Sequence, residues 1–169
     1  MNYTQASLPF MGQKRQFLNH FKTLLKQHIP NDGEGWTIVD AFGGSGLLAH
    51  TAKQVLPKAR VIYNDFDGYS ERLQNINDTN KLRTIIADLL AHYPRNQKLP
   101  DTLKKTVQAA LNSFGGYIDL DCVASWLLFS GCQITDLHDL LHNHTSLQWR
   151  AIKQLSQRRW LFRRCGSGK

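Results

Sequence analysis

The chain has 169 residues, enough for one domain with a real core, and its 41% apolar content argues against wholesale disorder. Lys and Arg number 21 against 13 acids, a formal charge of +8 that favours a polyanionic partner, most commonly nucleic acid, although a merely basic surface has the same composition. Cys122, Cys132 and Cys165 are odd in number and lack metal spacing, so a disulfide framework is not expected and reduced thiols of a cytoplasmic protein are. Met1 to Gln5 carries no signal pattern, and the longest apolar stretch, Ala124 to Cys132, is too short to span a bilayer, so no membrane partner is expected.

Residues 1–13 read as extended and end in Pro9-Phe10-Met11-Gly12-Gln13. Phe17, Leu18, Phe21, Leu24 and Leu25 then fall at helical spacing. A loop carrying Asn31-Asp32-Gly33 leads to a strand, Trp36-Thr37-Ile38-Val39-Asp40, and a glycine-rich turn, Ala41-Phe42-Gly43-Gly44-Ser45-Gly46. Leu47, Leu48, Thr51, Ala52 and Val55 mark a helix stopped by Pro57, and Arg60-Val61-Ile62-Tyr63-Asn64-Asp65 reads as a second strand ending in an acid.

After Asp67 the chain reads as helix almost throughout. Tyr69, Leu73 and Ile76 form one face; Leu82, Ile85, Ile86, Leu89 and Leu90 form the next, ended by Pro94. Leu103, Val107, Ala110 and Leu111 give a third, broken at Gly115-Gly116, and Leu120, Val123, Ala124, Leu127 and Leu128 a fourth. A short helix at Leu137, Leu140 and Leu141 and a last one at Leu147, Ile152 and Leu155 complete the set. The predicted fold is α/β, a parallel strand–helix–strand unit among many helices with few strands. Residues 1–165 form one domain, with a disordered tail at 166–169.

A glycine-rich turn between strand and helix, with an acid at the end of the next strand, suits an adenosine-bearing ligand. The glycines admit the ligand close to the backbone, and the acid takes ribose hydroxyls. Gly46 and Asp65 are 19 residues apart, one helix plus one strand. The bland alternative is a tight turn with Asp65 capping a helix.

Asp40 to Gly46 resembles the first cofactor motif of methyltransferases that use S-adenosylmethionine. Together with Phe10 to Lys14 upstream and Asn64-Asp65 downstream, it resembles the Dam family of DNA N6-adenine methyltransferases across residues 8 to about 77. The resemblance implies a Rossmann-like core and S-adenosylmethionine as cofactor. Lys14 would pair with the methionine carboxylate, Phe10 would pack on the cofactor, and Asp40 would lie near its amino group. Phe42 would pack at its edge. Gly12, Gly43, Gly44, Ser45 and Gly46 would belong to the same site, and Asp65 would bind the ribose. Duplex DNA would be the partner, and bacterial or phage modification the setting.

The family's Asp-Pro-Pro-Tyr motif is missing, since none of Pro9, Pro30, Pro57, Pro94 and Pro100 adjoins another. The expectation is therefore a truncated core without catalytic residues of its own. It would be inactive alone, and would either self-associate or need a separate catalytic half. A non-catalytic DNA-binding or assembly module and a small-molecule methyltransferase are the alternatives.

From Trp149 to Arg164, basic and aromatic residues interleave. Arg150, Arg158, Arg159, Arg163 and Arg164 are candidates for DNA contact, with a basic helix packed on the core as the equal alternative. His138, His142 and His144 read as surface histidines and no metal is expected. Asp119 and Asp121 read as the start of a helix.

Overall fold

The computed structural model describes residues 6–10, 12, 14–128, 134, 136–140 and 147–149. A 3-10 turn at Lys14–Phe17 leads into helix α1, Leu18–His28. Strand β1, Thr37–Asp40, helix α2, Leu47–Val55, and strand β2, Arg60–Tyr63, follow. The β-branched run Thr37-Ile38-Val39 and the Val61-Ile62-Tyr63 run suit a pleated surface. The strands pair parallel, Val39 opposite Ile62 and Asp40 opposite Tyr63, with α2 as the crossover. Among the described residues the sheet has these two strands and no more.

Among the described residues four further helices follow: α3, Tyr69–Gln74; α4, Ile76–Leu89; α5, Asp101–Ser113; and α6, Leu120–Leu127. Pro100 precedes α5, with Asp101 in its first turn. The Asp119 carboxylate accepts the Cys122 amide at 3.0 Å and so caps α6, as its position before the apolar run predicts.

Two cores result. The larger is helical: Leu82, Ile86 and Leu90 of the α4 segment, Val107 and Leu111 of α5, and Val123, Trp126 and Leu127 of α6 pack with Tyr69, Ile76 and Leu8. The smaller joins Leu25 of α1 to Ala52, Leu56 and Ala59, and Ile38 and Val61 pack on it from one face of the sheet.

Two expectations about helices change. The face containing Tyr69, Leu73 and Ile76 is split at Asn75, whose side-chain amide donates to the Glu71 carbonyl at 3.0 Å and competes with helix continuation. The last predicted helix does not begin at Leu147. Gln148 forms an antiparallel bridge with Lys98, and the Leu99 and Asn96 amides donate to the Leu147 and Trp149 carbonyls. Leu147 and Trp149, two apart, are both buried, which is strand spacing winning over the helical pattern. No described helix is long and apolar enough to cross a membrane.

Candidate cofactor site

A cavity of about 840 Å³ opens where the two strands end. This is where ligands bind in parallel α/β sheets, because the strand-to-helix loops diverge there. The loop after β1 contributes Ala41, Phe42, Gly43 and Gly44; the loop after β2 contributes Asn64, Phe66 and Asp67. The segment before α1 adds Phe10, Gly12 and Lys14, and the helical region adds Arg72 and Asp121.

The glycine turn is held by its own neighbours. A side chain at Gly43 would strike the Tyr63 ring at 2.2 Å and the Asn64 carbonyl at 2.6 Å. Gly44, at φ +48°, would strike the Phe10 ring at 2.7 Å. Both positions therefore need glycine so that the turn can pack on β2 and on the N-terminal segment. Tyr63 Oη lies 2.5 Å from the Gly44 carbonyl and 2.9 Å from Asp65 Oδ1, and the Asn64 amide donates to the Ala41 carbonyl at 2.9 Å. Burial first, and then the bond to Asp65, raises the Tyr63 pKa, so the phenol stays protonated and can donate.

The Asp65 carboxylate faces the start of α3. Oδ1 accepts the Tyr69 amide at 2.7 Å and Oδ2 the Ser70 amide at 3.0 Å. Burial works against its ionisation, but bonds from Ser70, Tyr63 and Tyr69 outweigh it and lower its pKa. Asp40 likewise turns toward the protein, accepting the Ala49 amide of α2 at 3.1 Å.

The N-terminal segment is tied across the site by α3. The Leu8 amide donates to Tyr69 Oη at 3.0 Å, the Phe10 ring meets Tyr69 edge-on, and Arg72 Nη2 donates to the Pro9 carbonyl at 2.8 Å. Arg72 also pairs with buried Asp119 at 2.9 Å and exposed Asp121 at 2.7 Å. So anchored, the segment delivers Lys14, whose Nζ donates to the Phe42 carbonyl.

A family profile described as D12 class N6 adenine-specific DNA methyltransferase matches residues 10–157. The chain belongs to that family. It is 53% identical over 153 residues to a Haemophilus influenzae protein named "Putative methyltransferase", a match that covers 90% of this chain and 51% of that one. The chain thus spans about half the length of that relative. No solved structure matches it.

Of the ten cofactor residues expected in this D12-class chain, Phe10, Gly12, Lys14, Phe42, Gly43 and Gly44 line the cavity. Asp40, Ser45, Gly46 and Asp65 are not among the residues that line it. Ser45 is buried, and Gly46, at φ +68°, starts α2. Sequence reasoning did not single out Ala41, Phe66 or Asp67, although Phe66-Asp67 directly follows the strand-end acid and could have been read from that position. It named Asn64 only as part of the motif. Arg72 and Asp121 needed the tertiary fold. Arg150, Arg158, Arg159, Arg163 and Arg164 lie outside the described residues, as do His142 and His144. Among the described residues no three His, Cys, Asp or Glu gather as metal ligands.

The lining suits S-adenosylmethionine in kind. Lys14 offers a cation to a carboxylate, and Asp67 offers an anion to an ammonium or hydroxyls. Phe42 and Phe66, 84% and 90% exposed, offer uncovered aromatic surface to a heteroaromatic ring.

Proposed function

We propose that this chain is the S-adenosylmethionine-binding part of a DNA methyltransferase that modifies the N6 amino group of adenine in duplex DNA. The reading is carried by the cavity at the ends of β1 and β2, where a glycine turn, a lysine and two uncovered phenylalanines converge in a D12-class chain. A Rossmann-like core and a cytoplasmic setting belong to the same reading.

Lys14 holds the carboxylate end of the cofactor. Phe10, Phe42 and Phe66 exclude water along its apolar parts, and Asp67 faces its polar ones. Asp65 and Asp40 act indirectly, by fixing α3 and α2 against the loops that line the site. When bound, the cofactor would supply a sulfonium-activated methyl group, open to attack by a suitably placed amine with the neutral thioether as leaving group and a proton lost from the nitrogen. Positioning and electrostatics carry such a transfer. The residues that would hold a flipped adenine, the family's Asp-Pro-Pro-Tyr, have no counterpart in this sequence. Alone, the chain would bind the cofactor without transferring its methyl group, and that motif would have to come from another polypeptide segment. Arg150, Arg158, Arg159, Arg163 and Arg164 would add salt-sensitive phosphate contacts.

The missing motif also favours a second reading, a DNA-binding or assembly module that keeps the fold without the reaction. Calorimetric titration with S-adenosylmethionine separates the two. The first reading expects saturable binding, weakened about tenfold by Lys14→Ala through loss of one charge-assisted contact. A folded chain that binds DNA but gives no heat with the cofactor would establish the second.

A further inference from the structure

Tyr63 ends β2 and is not among the residues lining the cavity, yet it touches both loops that open from the strands. In sequence it is an ordinary strand aromatic. In the fold it is the register partner of Asp40, so its side chain stands where both strands stop. The ring is the floor of the glycine turn: a carbon added at Gly43 would meet two of its atoms at 2.2 and 2.4 Å. The hydroxyl lies between the Gly44 carbonyl, at 2.5 Å, and Asp65 Oδ1, at 2.9 Å. Burial and the neighbouring carboxylate keep the phenol protonated. With one proton to give, it serves one acceptor at a time and keeps the other within reach. Asp65 in turn caps the start of α3 through the Tyr69 and Ser70 amides, which fixes the chain on both sides of Phe66 and Asp67. One oxygen atom therefore spans the loop after β1 and the loop after β2, both of which line the cavity. The strands do not need it to stay together. They are joined by their own parallel pairing and by the Asn64 side chain on the Ala41 carbonyl. What the hydroxyl adds is the position of Gly44 relative to Asp65.

We propose, on the preceding reading of the cavity as a cofactor site, that Tyr63 is a positioning residue for S-adenosylmethionine: its hydroxyl fixes the glycine turn against the end of β2, and the cofactor binds tightly only to the turn so held. Tyr63 touches no ligand itself and acts through the Gly44 carbonyl and Asp65. Without the hydroxyl the turn samples other positions, and the apparent affinity falls by the fraction of the time that Gly43 and Gly44 are out of place.

The test removes that one oxygen. Tyr63→Phe is compared with Tyr93→Phe, which deletes the same atom from the same kind of bond, a phenol donating to the Lys98 carbonyl in the helical region. Binding of S-adenosylhomocysteine is measured by calorimetry at a temperature where circular dichroism shows both variants folded. The Gly43 and Gly44 amide resonances are followed without ligand in nitrogen–proton correlation spectra. The expected result is that Tyr63→Phe weakens binding about fivefold, the worth of one hydrogen bond, and moves both glycine resonances, while Tyr93→Phe does neither. Binding by Tyr63→Phe within about twofold of the unsubstituted chain would overturn the proposal. So would an equal loss in Tyr93→Phe, because affinity would then follow stability and not the position of the turn. Weakened binding with unmoved glycine resonances would overturn the route through the turn. If the unsubstituted chain does not bind S-adenosylhomocysteine, the cofactor reading falls and the role of Tyr63 with it; if it binds and Tyr63→Phe binds equally well, only the role of Tyr63 falls.

Discussion

The strand–helix–strand region and the helical region are built to different standards of closure. From α3 to α6, each helix sends side chains into one shared core, and Tyr69, Ile76, Leu82, Ile86, Val107, Val123, Trp126 and Leu127 are wholly excluded from solvent. Neither strand has a single fully buried residue. The most open large apolar side chains among the described residues, Phe66, Phe42, Val39 and Trp36, lie in or beside it, with Phe17 ahead of α1, whereas Ile85 and Leu89 of α4 are 41% and 37% exposed, like Ile62 at 40%. The lesson is a division of labour. The helical region buries its apolar side chains fully, while the sheet region frames the cavity at the ends of its strands and leaves Val39 exposed. Asp65 and Arg72 join the two, one tying β2 to α3 and the other tying α3 to α6 and the N-terminal segment.

The contrast breaks most visibly at its strongest point. Trp126→Ala should cost about 4 kcal/mol in urea unfolding, the loss of a fully buried aromatic together with the cavity it leaves. A cost of about 1 kcal/mol or less would mean that the helical region is not the source of stability. Arg72→Met should follow at about 3 kcal/mol, because Asp119, 1% exposed, is left as a buried charge without its cation. Adding Asp119→Asn should recover part of that loss, since the amide oxygen can still cap α6 at Cys122. If the double variant is no better than the single one, the uncompensated charge is not the cause.

Much of this was legible in the sequence because it rests on local signals. The glycine turn between two β-branched runs located both strands and the loops of the site, and the motif order led to the family that the comparisons show. What the sequence did not show depends on contacts between distant residues. Asp65 reads first as a ligand acid, with the helix cap as the lesser alternative, and only the approach of the Tyr69 and Ser70 amides shows the cap geometry. Arg72 looks like an ordinary helix arginine until Asp119, 47 residues on, is brought beside it. Helical spacing puts Leu82, Ile85, Ile86, Leu89 and Leu90 on one face, but the fold buries Leu82, Ile86 and Leu90 and leaves Ile85 and Leu89 over 35% exposed. Periodicity gives the direction of a stripe; the neighbouring helix decides its width.

The junction itself gives a smaller, pH-dependent effect. Asp65→Ala removes a side-chain cap and should cost about 1 kcal/mol at neutral pH. Since the folded-state pKa of Asp65 is lowered, its contribution is complete above the ordinary carboxylate value and is lost as pH falls through the folded one. The stability gap between wild type and variant should therefore be constant from neutrality down to about pH 5 and narrow below it. A gap that widens on acidification would contradict the assignment.

The smallest effect is the most discriminating, because it places one chemical change in both regions. Val39→Thr and Val107→Thr each replace a methyl group with a hydroxyl while keeping β-branching, so strand and helix preferences change little. At Val107, wholly buried in α5, the hydroxyl loses water and should cost about 2 kcal/mol. At Val39, already 61% exposed, the hydroxyl keeps its water and the unfolding midpoint should move by no more than about 0.5 kcal/mol equivalent. Equal costs at the two sites would mean that the Val39 face is covered in solution, and the division between a closed helical region and an open sheet would fail.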